Sequence, residues 1–343
     1  MLPDLSRYHC QIALPGFGET SQQLLQQARV LVVGAGGLGC PALQYLVAAG
    51  IGTIGIADDD IVSVTNLHRQ ILYGQGDIGK KKVEVAIERL QQQNPGIILV
   101  AHELRVDSSN ALELINQYDI VVDGTDNFET RYLLNDAAVI AGKPLVYGAI
   151  YQYEGQLAVW NVKNADGSYS PNYRDLYPKV DATQIPNCAV GGVIPTLAGI
   201  IGCLQANEVI KLITRSADVL AGKVMVFDAQ TLQSRIVRIG SVTKTKIQSL
   251  QETASIPTIS RSELEADPEK YELVDVRTVQ EHDKSNIGGK NIPLDELEES
   301  IASFKKTTPI VFYCATGKRS AEAVKMVKGV YPDAEVYSLE LGY

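Results

Sequence analysis

Residues 28–60 read ARVLVVGAGGLGCPALQYLVAAGIGTIGIADDD, and this stretch decides the fold. A Val-rich run, a turn of four glycines and an apolar period from Leu38 to Ala49 predict strand, tight turn and helix; the Ile-rich run to Ala57 predicts a second strand. Outward from there the alternation continues. KKVEVAIERLQQQNP (81–95) is an amphipathic helix that stops at Asn94-Pro95, and IILVAHELRV, YDIVVDGTD and PLVYGAI read as further strands with helices between them. Strands alternating with helices give a parallel sheet of the doubly wound α/β type. After about Gln156 the pattern is strand-rich, then helical from about Ala198 to Thr214, then stranded to Ile239, so the sheet is expected to be mixed.

The chain is 343 residues long, which suits two or three domains. The polar stretch SVTKTKIQSLQETASIP separates a first domain (1–242) from a second (258–343), with residues 243–257 as linker. The second repeats the βα alternation in YELVDVR, PIVFYCATGKRSAEAVKMVKGV and AEVYSL. Lys plus Arg total 31 against 40 Asp plus Glu, a net charge of −9, which excludes a basic face for nucleic acid or an anionic membrane. Cys10, Cys40, Cys188, Cys203 and Cys314 are odd in number and contain no C-x-x-C pair, which fits a reduced, cytoplasmic protein rather than a disulfide scaffold. The N-terminus lacks a basic region followed by an apolar core, so no signal peptide is expected. No charge lies between Asp181 and Glu208, but Gly191, Gly192, Pro195, Gly199 and Gly202 interrupt VGGVIPTLAGIIGCL and predict a loop entering a buried helix, not a membrane span.

Gly34-Ala35-Gly36-Gly37-Leu38-Gly39 matches G-x-G-x-x-G between strand and helix, and Asp58 to Asp60 follow the next strand. Such glycines let the backbone approach a nucleotide phosphate, while an acidic side chain takes the ribose hydroxyls. That much fits an NAD-dependent oxidoreductase equally well. Asn66, Arg69 and Gln70 in NLHRQ, Lys82 in GKKKVE, and Asp126-Asn127 in DGTDN point instead to a site that cleaves a triphosphate, because charge builds on the departing pyrophosphate. Asp126, at a strand end, is placed to hold magnesium with ATP. Cys314-Ala315-Thr316-Gly317-Lys318-Arg319-Ser320 opens a helix after the strand PIVFY. Backbone N–H groups, the helix dipole and Arg319 would lower the thiol pKa and stabilise an anionic persulfide.

The set RY…QI…GFG, VGAGGLG, D-x-D-x-V…NLHRQ, GKKKVE and DGTDN resembles the ubiquitin-activating-enzyme-like adenylyltransferases of the MoeB/ThiF type, over about residues 5–240. The resemblance implies a Rossmann-like nucleotide-binding domain that uses ATP and magnesium to adenylate the Gly-Gly tail of a ubiquitin-like sulfur carrier. On it, Gly34, Gly36, Gly37, Gly39, Asp58 and Asp60 hold the nucleotide. Asn66, Arg69, Gln70, Lys82 and Asn127 complete that site, with Arg69 and Asp126 as catalytic residues. Cys188 falls where many relatives place a cysteine in a crossover loop that forms a covalent link to the carrier; Cys40 and Cys203 read as structural. A homodimer is implied as well. Two departures stand out. Arg7-Tyr8-His9-Cys10-Gln11 lacks the second arginine usual in that segment, and Asn172-Tyr173-Arg174-Asp175 stands where relatives carry the first zinc-binding cysteine pair, with no second pair near Gly240, so no zinc is expected.

The second domain resembles a rhodanese, on the loop after Cys314 and on LVDVR and NIGGKNIPL. Four residues separate Cys314 from Arg319, one fewer than in cysteine phosphatases, which suits sulfur rather than phosphate. Cys314, Gly317, Arg319 and Ser320 form the expected sulfur loop, fed by thiosulfate or a cysteine desulfurase. The chain ends at Leu341-Gly342-Tyr343, where relatives continue, so a last helix is expected to be absent. The reading is a two-domain enzyme that turns a carrier's C-terminal glycine into a thiocarboxylate, molybdopterin synthesis first and thiazole synthesis next. The alternatives are an NAD-dependent oxidoreductase, which leaves Arg69, Lys82 and the Cys314 loop unexplained, and a docking module with an inactive rhodanese.

Overall fold

Parallel strands buried on both faces need apolar side chains at successive positions, and β1 (Arg29–Val33) supplies them. Val30 and Val32 join one core; Leu31 and Val33 join the other. The computed structural model describes residues 5–178, 192–250, 256–301, 304, 308–340 and 342. The chain divides into two compact units, Met1–Gln251 and Glu252–Tyr343.

In the first unit β2 (Thr53–Ala57), β3 (Ile98–His102), β4 (Ile120–Asp123), β5 (Leu145–Tyr151), β6 (Glu154–Trp160), β7 (Lys223–Asp228) and β8 (Ser234–Arg238) complete one sheet with β1. Its order is β3-β2-β1-β4-β5-β6-β7-β8. The pairings through β5 are parallel and those from β5 to β8 antiparallel, so the sheet is doubly wound and mixed, as expected. One face is covered by α2 (Gly39–Ala49), α3 (Lys82–Gln93) and α6 (Pro195–Ile213), which follow α1 (Gly18–Gln27) in part. The other is covered by α4 (Ala111–Asn116) and α5 (Phe128–Ala141).

α6 is long and apolar enough to cross a membrane by composition, yet Leu197, Ala198, Ile201, Gly202, Gln205, Ala206 and Val209 are buried within the unit. Gln205 Nε2 donates to Asp123 O at 2.7 Å, and a Cβ on Gly202 would meet Pro41 at 2.5 Å. The helix is a core element, and Pro195 at its first turn fixes its start.

The stretch read as linker from residue 243 is packed onto the first unit at its start. Asp175 accepts from Thr243 Oγ1 (2.6 Å), Thr245 Oγ1 (2.8 Å), and the backbone N–H groups of Asn172, Lys244 and Thr245. Asn172 Nδ2 donates to Thr243 Oγ1 at 2.8 Å. Composition marked these residues as polar, but could not show that Asp175 would gather their donors. The clasp ties residues 172–175 to residues 243–245.

The second unit has a five-stranded parallel sheet in the order β11-β10-β12-β13-β9. Its elements are β9 (Thr258–Ile259), α7 (Arg261–Ala266), β10 (Glu272–Asp275), α8 (Val279–Lys284), β11 (Lys290–Asn291), β12 (Ile310–Tyr313), α9 (Lys318–Val330) and β13 (Val336–Leu339). Val274, Phe312, Val324 and Val327 centre its core.

Burial alone would push the Asp175 carboxyl up, but its hydrogen bonds outweigh this and hold it below its ordinary value. A depressed folded-state pKa adds stability that is present above the unfolded value and lost as pH falls. Asp175→Ala should therefore cost about 2 kcal/mol at neutral pH, through donors left unpaired. Denaturant melts at pH 7 and at about pH 2.5, well below the ordinary carboxylate value of 3.8, should show the gap between the two proteins narrowing in acid; an equal gap would show that the carboxylate's charge is irrelevant.

Candidate functional sites

At the first site three strand ends meet. Gly34 N donates to Ala57 O and Gly124 N to Val33 O, both at 2.8 Å, so the loops after β1, β2 and β4 emerge side by side. This is the switch point of a doubly wound sheet, where a crevice opens. Gly34 has φ +93°, and a Cβ there would lie 2.7 Å from Gly124 O, so neither the conformation nor the space admits a side chain.

Asp58 joins the glycine turn to β2. Its carboxylate accepts from Ala35 N at 2.7 Å and from Asp60 N at 2.8 Å. Burial pushes the Asp58 carboxyl above its ordinary value, offset in part by Lys82 and these two N–H groups. Lys82 is buried, with its Nζ 2.9 Å from Asp60 Oδ2. Arg69 lies over the turn, its Cγ and Cδ 3.4 Å from where a Gly37 Cβ would stand, and Gln70 Nε2 is equally close to the corresponding point on Gly36. Asn66 O accepts from Arg69 N and Gln70 N, so it shapes the turn that aims them. Gly39 begins α2, closing against the Gly34 backbone. Asp126 is exposed on the loop after β4; Asn127 Oδ1 is committed to capping α5 through Thr130 N at 2.8 Å. Cys188 lies outside the described residues.

Sequence reasoning missed what lies beneath that loop. Asp123 is fully buried and accepts from Thr125 N (2.9 Å) and Thr125 Oγ1 (2.6 Å), while Arg131 Nη2 reaches Thr125 O and its Nε stands 3.5 Å from Asp123. The Arg131 guanidinium lies 5.0 Å from the Tyr147 ring centre. Its signal was present as the arginine in DNFETR, one helical turn past the cap. Tyr73 was also missed as a support: its Oη donates to Ala35 O at 2.8 Å, and Cys40 Sγ donates to the same oxygen at 3.4 Å. Burial pushes the Cys40 thiol up to about 12, which suits the structural role expected of it. In the N-terminal arm Arg7 donates to Gln93 O, and Cys10 is exposed.

The second site lies at the C-terminal end of β12. Gly317, at φ +79°, turns the chain into α9. Cys314 is buried, its Sγ 3.6 Å from Ser320 Oγ. Burial opposes ionisation, yet the backbone N–H groups of Ser320, Thr316 and Arg319, with the Ser320 hydroxyl, hold the thiol below its ordinary value. Arg319 has a partner that the sequence reading did not name. Its guanidinium is held by Glu281, Nη1 to Oε2 at 2.8 Å and Nη2 to Oε1 at 2.7 Å. Its backbone N–H serves the thiol, and its side chain, which also meets Cys314 electrostatically, is matched first by that carboxylate.

These two arrangements are accompanied by clear likenesses to known proteins. Residues 8–248 match the ThiF family, and residues 260–343 match the rhodanese-like domain. The chain belongs to the ThiF family. It is 40% identical to a probable adenylyltransferase/sulfurtransferase MoeZ of Mycobacterium tuberculosis, over 95% of this chain and 88% of that one. It is 49% identical to a sulfur carrier protein adenylyltransferase of Thermus thermophilus, over 66% of this chain and 84% of that protein. It is 37% identical to a probable molybdopterin-synthase adenylyltransferase of Porphyra purpurea, over 95% and 89%. The crystal structure of E. coli MccB shares the fold, at TM-score 0.62 and 20% identity over 73% of this chain and 74% of that one.

The thiol chemistry is directly testable. Alkylation of Cys314 by iodoacetamide, followed by mass spectrometry of its peptide, should titrate below an ordinary thiol, and Ser320→Ala should move the midpoint upward. A midpoint unchanged by that substitution would remove the hydroxyl from the cradle.

Proposed function

We propose that this ThiF-family chain adenylates the C-terminal glycine of a ubiquitin-like sulfur carrier with ATP, then converts it to a thiocarboxylate with sulfur taken up at Cys314. The observation that carries the first half is the convergence of the glycine turn, Asp58, Lys82 and Arg69 on one strand-end crevice. A turn with no Cβ at Gly34, Gly36, Gly37 or Gly39 admits phosphates, Asp58 and its surroundings suit a ribose, and Arg69 and Lys82 meet charge as it develops on pyrophosphate. The carrier's carboxylate attacks the α-phosphate, giving an acyl-adenylate and pyrophosphate. Asp126, an exposed carboxylate beside the crevice, suits the magnesium that accompanies ATP, which would neutralise phosphate charge.

The second half rests on the Cys314 cradle. A persulfide held there by backbone N–H groups attacks the activated carbonyl and AMP leaves; a second thiolate then attacks the Cys314 sulfur, forming a disulfide with it as the old sulfur–sulfur bond breaks and the thiocarboxylate departs with the electron pair. Cys188 is proposed to act at that later stage. The likeness to the probable molybdopterin-synthase adenylyltransferase of Porphyra purpurea favours molybdopterin synthesis over thiazole synthesis. Thiosulfate or a cysteine desulfurase as donor, a homodimer, a cytoplasmic location and the lack of structural zinc complete the proposal, the last supported by the Asp175 clasp. Among the described residues no three His, Cys, Asp or Glu side chains gather to hold a metal.

ATP–pyrophosphate exchange in the presence of candidate carriers tests the first step. Arg69→Ala and Asp126→Ala should each lower carrier-dependent exchange by at least about 100-fold without lowering the melting temperature, since both serve reacting charge rather than the core. Near-native exchange in either variant would remove that residue from the site.

Mass spectrometry of the carrier tests the second. Cys314→Ala should abolish thiocarboxylate formation with thiosulfate as sole donor and leave exchange intact. Normal yield from that variant would make the second unit a passenger.

A further inference from the structure

Both arginines near the Cys314 loop are matched by carboxylates. Arg277 is held by Asp275, Nη2 to Oδ2 at 2.6 Å and Nε to Oδ1 at 2.9 Å, and Asp275 also meets His282 Nδ1 at 2.9 Å. Arg319 is held in a two-point fork by Glu281. Glu281 is itself fixed. Its Oε2 accepts from Thr278 N (3.0 Å) and Thr278 Oγ1 (2.9 Å), while its own N–H donates to Thr278 Oγ1, a reciprocal cap on α8. The carboxylate is held well below its usual range, at about 2, first by Arg319, so it stays charged at any working pH.

We infer that Glu281 is a positioning residue that neutralises Arg319 beside the Cys314 cradle, and so sets the second site against dianionic sulfur donors and in favour of donors of lower charge. This rests on the sulfurtransferase reading of the second unit. The reaction is the same for every donor: the Cys314 thiolate attacks the sulfane sulfur, a new S–S bond forms, the donor's bond to that sulfur breaks, and the leaving group departs with the electron pair. From thiosulfate the products are the Cys314 persulfide anion and sulfite. From a thiosulfonate they are the same persulfide and a sulfinate. From a persulfide on a protein cysteine they are the persulfide and that protein's thiolate. What differs is the charge brought to an anionic nucleophile. A free guanidinium would offset the second charge of thiosulfate; one already forked to a carboxylate offsets little of it. The variants below leave the other charges of the loop unchanged, so those cancel in the comparison.

The test compares thiosulfate with methanethiosulfonate in the full-length protein, reading persulfide on the Cys314 peptide and the rate of sulfur release to cyanide. The two donors present the same terminal sulfur and differ by one charge. Glu281→Gln keeps an acceptor oxygen for Arg319 and Thr278 but removes the charge. It should raise kcat/KM for thiosulfate relative to methanethiosulfonate by about fivefold, mainly through KM, with the gain fading as salt is added. Thr278→Ala removes the cap and leaves the Glu281–Arg319 fork, so it should leave the ratio of the two donors unchanged whatever it does to stability. A ratio unmoved by Glu281→Gln overturns the inference, as does an equal shift in Thr278→Ala, which would trace the effect to the cap. Persulfide formation from neither donor in either protein would overturn the sulfurtransferase reading itself, and this inference with it.

Discussion

A Cβ on Gly34 would stand 2.7 Å from the carbonyl oxygen of Gly124, and this backbone approach governs the first unit. It requires β1 and β4 to lie side by side with their loops turning apart, which is the crossover point of a doubly wound sheet. Once that contact exists, the Ala35 N–H faces Asp58, the end of β2 is fixed to the turn, and Asp60 is set against Lys82. On the other side the loop from Gly124 is braced from below by the buried Asp123–Arg131 pair. The exposed Asp126 thus sits on a rigid base. Breaking such a pair leaves an uncompensated buried charge, so the base is costly to deform.

How much of this the sequence disclosed follows from what kind of interaction is involved. Strand and helix periods are local, and the Val and Ile runs with their glycine turn specified the parallel core before any contact was known. The shift to antiparallel pairing after β5 was legible as strand-rich pattern. Contacts made by side chains distant in sequence were not. Asp175 collects donors from residues 243–245, some seventy positions on, and polar composition alone made those residues look like linker. Glu281 and Arg319 are separated by 38 positions. Thr278 and Glu281 stand at capping-box spacing, but such spacing does not say which cation will find the same carboxylate. Arg319 looked like a source of field at the thiol for that reason: its backbone position was fixed by the loop, and its side-chain partner was not.

The two sites stabilise anions by different means, and the difference follows from what each must bind. The proposed adenylation crevice sets Arg69, and Lys82 beside Asp60, against a glycine-rich turn, which suits a triphosphate and a departing pyrophosphate whose several charges grow and leave. The Cys314 loop instead relies on fixed N–H dipoles and one hydroxyl, with its nearby guanidinium groups occupied by carboxylates. Dipoles can hold a single negative charge on sulfur without drawing in a counter-anion, and they do not move when the persulfide arrives or departs. A loop of free arginines would bind small anions tightly and hold them. A loop of dipoles leaves the sulfur anion stabilised and the entrance weakly charged, which suits a site that must both take sulfur from one molecule and surrender it to another.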